Sequence, residues 1–388
     1  MRFVRELVKW FAAAQRDLPW RHEENARDAY RVVVSEVMLQ QTTVAAVVPF
    51  YQRFLARFPT LESLAEAPFE DVLPFWAGLG YYSRARNLHA LARAVVEKHG
   101  GVFPREFREV LALPGVGRYT AGAVSSIAFD QKSPIVDANV ARVFSRVFCL
   151  EGDPKNSANQ SELWRRASEL VGACDQKNPP SQFNPALMEL GALICTPRAP
   201  QCEKCPVAQF CLARAQNRQN ELPHASPKRE IVELRDACVY LKSIRPSDGS
   251  TVGGHPEFGR TFLRRRDGEA KIWWRGMWEL PRTTARENEG TREAAARMLR
   301  EEFSLTDFQI GAKLQTLRHG VTHHRITLDC YEAEIENLFT GENCGWFDEN
   351  EIAKLALPST MRALLKKIGA QARKAQSETV QPSLWSEE

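Results

Sequence analysis

Four of the nine cysteines, Cys195, Cys202, Cys205 and Cys211, fall within seventeen residues in the pattern C-x6-C-x2-C-x5-C, with Pro206 after the third. The first residues, MRFVRELVKWFAAAQRDLPW, put Phe3, Leu7, Trp10, Phe11 and Ala14 on one helical face, which predicts a packed helix and not a secretory signal. Crowded thiols in such a chain are expected to be reduced and to form a metal site. The spacing favours one 4Fe-4S cluster, with a thiolate on each iron. Zinc more often takes two separated C-x2-C pairs, and here only Cys202 and Cys205 make one. Unligated thiols rank below both readings. Arg198 and Lys204 lie in the same loop, as phosphate contacts or as ordinary surface charge.

The 388 residues are 44% hydrophobic and 26% charged. No apolar run approaches the roughly 18 residues of a membrane span, so a soluble protein of two or three domains is expected. Residues 1–220 carry 27 Lys and Arg against 22 Asp and Glu, and residues 221–388 carry 25 against 26. That surplus permits a polyanionic partner without requiring one. Residues 1–215 repeat apolar positions at three and four and predict an all-α domain. The polar stretch 216–230, with two prolines, predicts an exposed linker. From 231 to 370 short runs such as ACVYLKS, RTFLRRR and RITLDCYEAEI surround one helical segment, TREAAARMLREEF, and predict an α+β domain. Residues 245–259 read as a loop, and 371–388 as a disordered tail.

Three further segments carry chemistry. Glu36 is the only charged residue between Arg31 and Arg53. A carboxyl group in so apolar a run is desolvated, which raises its pKa and keeps a proton available near neutrality. Gln40, Gln41 and Thr42 offer uncharged donors and acceptors where that helix should end. In LPGVGRYTAGAV, Pro114, Gly115 and Gly117 make a tight hairpin into a helix, where backbone N–H groups can approach a DNA phosphate. About twenty residues on, Asp137 and Asn139 follow Ile135 and Val136, and an aspartate beside apolar residues is costly unless partnered or used. In GLGYYSRARN, Tyr81 and Tyr82 precede Arg84 and Arg86. Aromatic wedges beside cations suit the unstacking of duplex DNA, although alone the segment would serve equally as a core turn.

Taken in order, SEVMLQQT, GLGYYSRARN, LPGVGRYTAGAV, VDANVARV and the cysteine spacing resemble the helix-hairpin-helix DNA glycosylases that carry an iron–sulfur cluster. Within them the resemblance, over almost the whole chain, is to the MutY adenine glycosylases. It implies base-excision repair: hydrolysis of the N-glycosidic bond of adenine mispaired with 8-oxoguanine or guanine in double-stranded DNA, by a monomer in the cytoplasm at a bacterial nucleoid. Glu36 then resembles the acid that protonates adenine N7, and Asp137 the carboxylate that stabilises an oxocarbenium-like sugar. Tyr119 and Asn139 resemble their supports, and Gln41 and Tyr81 residues that penetrate the base stack. Endonuclease III, the near alternative, is similar but has a lysine where this chain has Tyr119. An amine can form a Schiff base with the opened sugar and cleave the strand; a phenol cannot. Pro185 and Glu189 depart from the family pattern, which has Gln and often Asp there.

The second domain resembles a Nudix fold with its hydrolase box broken. GMWELP is followed by REAAARMLREEFSL, but Arg282 and Thr283 replace paired glycines, Met298 a metal-site glutamate and Ser304 a glycine, leaving Glu301 and Glu302. Such a domain is expected to read an oxidised guanine without cleaving it. Val321, Thr322 and His323 stand where relatives have Phe-Ser-His, and Thr322 keeps the hydroxyl. In the tail, Gln381, Leu384 and Trp385 resemble a peptide that docks on the replication sliding clamp. A Nudix hydrolase fused to a DNA-binding module and a non-catalytic iron–sulfur DNA-binding protein are the remaining alternatives.

Overall fold

A computed structural model describes residues 1–224, 230–243, 260–266, 273–274, 276–335 and 340–379. The first unit comprises residues 1–79 and 83–228, the second residues 80–82 and 229–388. In the first unit the decisive element is the helix Ala29–Leu39. Its three consecutive valines lose side-chain freedom in a helix, so propensity does not explain it. Burial does: of its residues only Arg31 and Leu39 reach solvent appreciably. Each buried Val or Met contributes on the order of 1.5–3 kcal/mol. Asp28 caps the helix, accepting from the backbone N–H of Tyr30 and Arg31 at 2.8 and 3.2 Å. At the other end Arg84, from helix Ser83–His99, donates to the carbonyls of Val37, Met38 and Gln40 at 2.7, 2.9 and 2.6 Å. Arg84 was expected among the DNA contacts; it is instead a buried internal cap, because orphaned carbonyls at a helix end attract a cation.

Three more helices frame the same region. Arg118–Ile127 starts after the turn at Gly115, whose φ is +71° and where an added Cβ would lie 2.3 Å from the Cβ of Asn87. Only glycine fits. Ala138–Val147 and Pro180–Leu193 share a core with Arg2–Ala14 through Phe144, Phe183, Leu187, Leu190, Leu7 and Phe11.

The second unit has seven strands: β1 (Val232–Ser243), β2 (Thr261–Arg265), β3 (Trp278–Glu279), β4 (Arg282–Thr284), β5 (Phe308–Val321), β6 (His324–Ile335) and β7 (Cys344–Phe347). One sheet runs β4-β1-β6-β5, with β1 parallel to β6, and the other β3-β2-β7. Helix Thr291–Phe303 covers one sheet face through Ala294, Ala295, Met298 and Leu299. This is an α+β unit of the expected kind.

Two boundaries differ from expectation. Residues 216–224 are not a free linker throughout, since Leu222 is buried and its carbonyl accepts from Arg146 Nε at 2.8 Å. The last helix, Ser359–Thr379, runs into the segment expected to be disordered, because Ala370, Ala372, Lys374 and Ala375 are strong helix formers even without an apolar period. The Gly/Ser-rich loop 245–259 and the clamp-like Gln381, Leu384 and Trp385 lie outside the described residues.

Candidate active site

Glu36 sits mid-helix, 6% exposed, and its Oε2 accepts a hydrogen bond of 2.6 Å from Tyr119 Oη. Tyr119 is in the first turn of its helix, with Met188 Sδ 3.1 Å from its hydroxyl. Burial pushes the Glu36 carboxyl up to about 7; the phenol and the Arg21 charge pull it down, and Asp137 pushes it up. Half of such groups carry a proton at neutral pH, which is what a general acid needs.

Asp137 is the N-cap of helix Ala138–Val147. One oxygen accepts from Val140 N–H at 2.7 Å and the other from Asn139 Nδ2 at 3.0 Å. Burial raises its pKa, opposed by those hydrogen bonds and by Arg142. The helix N-terminus and these hydrogen bonds hold the Asp137 carboxyl in one orientation. Asn139 Oδ1 in turn accepts from Arg142 Nη2 at 2.9 Å, and Arg142 also donates to the carbonyls of Gly191 and Cys195, both at 2.8 Å. The capping carboxylate is thus tied through two side chains to the backbone of the first loop cysteine.

The four cysteines Cys195, Cys202, Cys205 and Cys211 border one cavity of about 390 Å³, its mouth included, otherwise lined by Val143, Leu190, Val207, Arg146 and neighbouring residues. Apolar walls, four thiols and an adjacent guanidinium are a donor set fitted to an iron–sulfur cluster, whose thiolates bring excess negative charge. Arg146 is buried; it donates to Cys195 Sγ at 3.3 Å and to the carbonyls of Thr196 and Pro197 at 2.7 and 3.1 Å.

Among the residues expected to face DNA, Gln41, Tyr81, Gly115 and Gly117 are exposed, with positive φ at Gln41, Tyr81 and Gly115. Gln40, Thr42 and Arg86 are half-buried; Thr42 donates to Gln40 O at 3.2 Å, and the Arg86 guanidinium lies over Phe69. Tyr82 is buried, so it is no wedge. In the second unit Thr322 and His323 form the two-residue turn between β5 and β6, Thr322 exposed with φ of +56°.

In helix Thr291–Phe303 the acids that the resemblance leaves are held in ion pairs. Met298 is fully buried, Glu302 pairs with Arg264, and Glu301 lies 3.4 Å from Arg286 and 3.6 Å from Arg297. Arg282, where the resemblance leads one to expect a glycine, is buried and pairs with Asp236 at 2.6 Å. Ser304 ends the helix with φ of +53°, the left-handed conformation that favours glycine. Arginines occupy the acids that a divalent ion would need.

Sequence reasoning missed Met188, Arg142 and the partners of Glu189. Arg142 had a usable signal: it lies three residues after Asn139, on the same helix face. Met188 and the Arg16–Glu189–Arg21 cluster had none, since their partners are distant in sequence.

Three segments of the chain match known families. Residues 34–169 match the HhH-GPD superfamily base excision DNA repair proteins, 195–211 the iron–sulfur binding domain of endonuclease III, and 254–367 the NUDIX domain. An adenine DNA glycosylase of Rattus norvegicus is 48% identical over 68% of this chain and 52% of its own length. One from Buchnera aphidicola of Acyrthosiphon pisum is 34% identical over 62% of this chain and 67% of its own. That from Buchnera aphidicola of Schizaphis graminum is 28% identical over 94% and 98%. The chain spans about half the length of the rodent relatives. With a helical repair unit, a cysteine loop for an iron–sulfur cluster and a Nudix-like unit in this order, the chain belongs to the adenine DNA glycosylase family.

Proposed function

We propose that the chain is a monofunctional base-excision-repair glycosylase that hydrolyses the N-glycosidic bond of adenine mispaired with 8-oxoguanine or guanine. The observation that carries this reading is the 2.6 Å hydrogen bond from Tyr119 to a buried Glu36 that holds its proton to about pH 7, beside the capping carboxylate of Asp137. Glu36 gives its proton to adenine N7 as the C1′–N9 bond breaks, and the bonding pair leaves on neutral adenine. Positive charge grows on the sugar, and Asp137, held by Val140 N–H and Asn139, stabilises it electrostatically. Water adds its oxygen at C1′ and its proton returns to Glu36. Tyr119 presents a phenol, so no Schiff base forms and the strand stays intact.

Cys195, Cys202, Cys205 and Cys211 would hold one 4Fe-4S cluster, which when bound braces the loop. The C-x6-C-x2-C-x5-C spacing, with all four thiols bordering one cavity, supports a cluster over zinc. Gln40, Gln41, Tyr81, Arg86 and the Gly115–Gly117 turn are assigned to duplex DNA, Thr322 and His323 to the 8-oxoguanine side, and Gln381, Leu384 and Trp385 to a sliding clamp. The test is a glycosylase assay on duplexes with adenine opposite 8-oxoguanine, guanine or cytosine. Adenine loss with strand breaks only after alkali is expected. Breaks without alkali and a borohydride-trapped adduct would favour the endonuclease III chemistry, and binding without excision a non-catalytic role.

A further inference from the structure

Glu189 is the most heavily bonded carboxylate near the site and has no part in the mechanism above. On helix Pro180–Leu193 and fully buried, it accepts from Arg16 N, Nε and Nη2 at 2.9, 2.9 and 2.7 Å and from Arg21 Nη1 and Nη2 at 3.1 and 2.9 Å. Two guanidiniums meet one carboxylate, leaving the cluster one positive charge in excess. Arg21 is further held by the Arg16 carbonyl at 3.2 Å and by the Phe11 ring at 5.2 Å. The preceding residue, Met188, touches the Tyr119 hydroxyl that bonds Glu36. One turn of this helix therefore braces the proton donor and grips a cation close enough to act on it.

We propose that Glu189 is a positioning residue for the proton donor: clamped between Arg16 and Arg21, it takes up guanidinium charge that would otherwise bear on Glu36. The groups that face Glu36 are Tyr119 from helix Arg118–Ile127, Asp137 from the cap of Ala138–Val147 and Arg21 from the 3-10 turn Pro19–Arg21. Arg84, from helix Ser83–His99, is engaged with the carbonyls at the end of the Glu36 helix. Arg21 is the one cation among the first three, and it favours the ionised form of Glu36. Glu189 stays ionised across the working range: burial works upward on it, but hydrogen bonds from Arg16 and Arg21 hold it at about 2. Its negative charge is thus permanent, and it offsets the cation that would strip Glu36 of its proton.

The inference rests on Glu36 as the acid of the proposed reaction, so the experiment first requires that the full-length protein release adenine and that Glu36→Gln not do so. Absence of release from wild type would sink the functional reading; the rest addresses Glu189 alone. Single-turnover rates are measured from pH 5 to 9 for wild type, Glu189→Gln, Glu189→Asp and Arg16→Met, each checked for native circular dichroism. Glu189→Gln should match wild type near pH 5.5 but lose activity sooner as the pH rises, its alkaline limb moved down by half a unit or more. Glu189→Asp keeps the charge and should restore the limb. Arg16→Met removes the competing cation and should leave the limb unmoved or shift it upward. If instead Glu189→Gln and Arg16→Met both lower the rate equally at every pH, the clamp is only structural and the proposal is wrong. If Glu189→Gln fails to fold, the Arg16→Met limb decides by itself: a downward shift contradicts the proposal.

Discussion

Glu36 carries an energetic cost that follows from its burial. In the folded chain it keeps its proton to about pH 7, against 4.5 without the environment. Between those values the unfolded chain binds fewer protons, so stability falls as pH rises from 4.5 to 7 and stays lower above it. The difference is at most about 3.5 kcal/mol, at roughly 1.4 kcal/mol per unit. Glu36→Gln removes the titration and can still accept from Tyr119. Its thermal midpoint should exceed that of wild type at pH 8 and equal it near pH 4.5; an equal gap at both would mean that packing, not ionisation, sets the difference. This residue was legible in the sequence because it was alone in its run. Arg84 was not, because a buried cap and a phosphate-binding arginine look alike until the carbonyls around them are placed.

Helices set the site to within ångströms, and their close approach gives the next expectation. Gly191 is packed so tightly against the Asn139 helix that an added Cβ would lie 2.6 Å from Asn139 Cβ and 3.2 Å from its Cα. Gly191→Ala should displace Asn139 and so the Asp137 that it bonds, lowering the single-turnover rate on the order of a hundredfold while DNA affinity stays within a few-fold. Loss of affinity with a normal bound-state rate would show that the contact serves DNA instead. The cysteine loop predicts a brown protein with about four irons per chain, its visible absorbance lost in Cys202→Ser. Stoichiometric zinc in colourless, anaerobically prepared protein would contradict it. Elements with a strong period or a motif, such as Thr291–Phe303 and the turn before Tyr119, were legible in sequence. The extension of the last helix to Thr379 was not, since propensity without amphipathic pattern leaves no apolar signal. The side-chain relay from Asp137 to Cys195 was hidden for another reason: Arg142 reaches Cys195 across fifty-three positions of sequence.

At the scale of the whole chain, the proposed function assigns excision to the first unit and the choice of opposing base to the second. A chain cut after Lys228, at the division between units, keeps Leu222 with the first unit. It should still release adenine but prefer 8-oxoguanine over guanine less strongly, and Thr322→Ala and His323→Ala in the intact protein should do part of the same. Full discrimination by the truncated chain would give the second unit another task. The peptide pattern of Gln381, Leu384 and Trp385 lies outside the described residues. The proposed excision turns on one proton. Single-turnover adenine release from an 8-oxoguanine duplex, measured with binding for wild type and Glu36→Gln, tests it most directly: binding within a few-fold and no detectable release from the variant are predicted, and near-normal release by Glu36→Gln would contradict it.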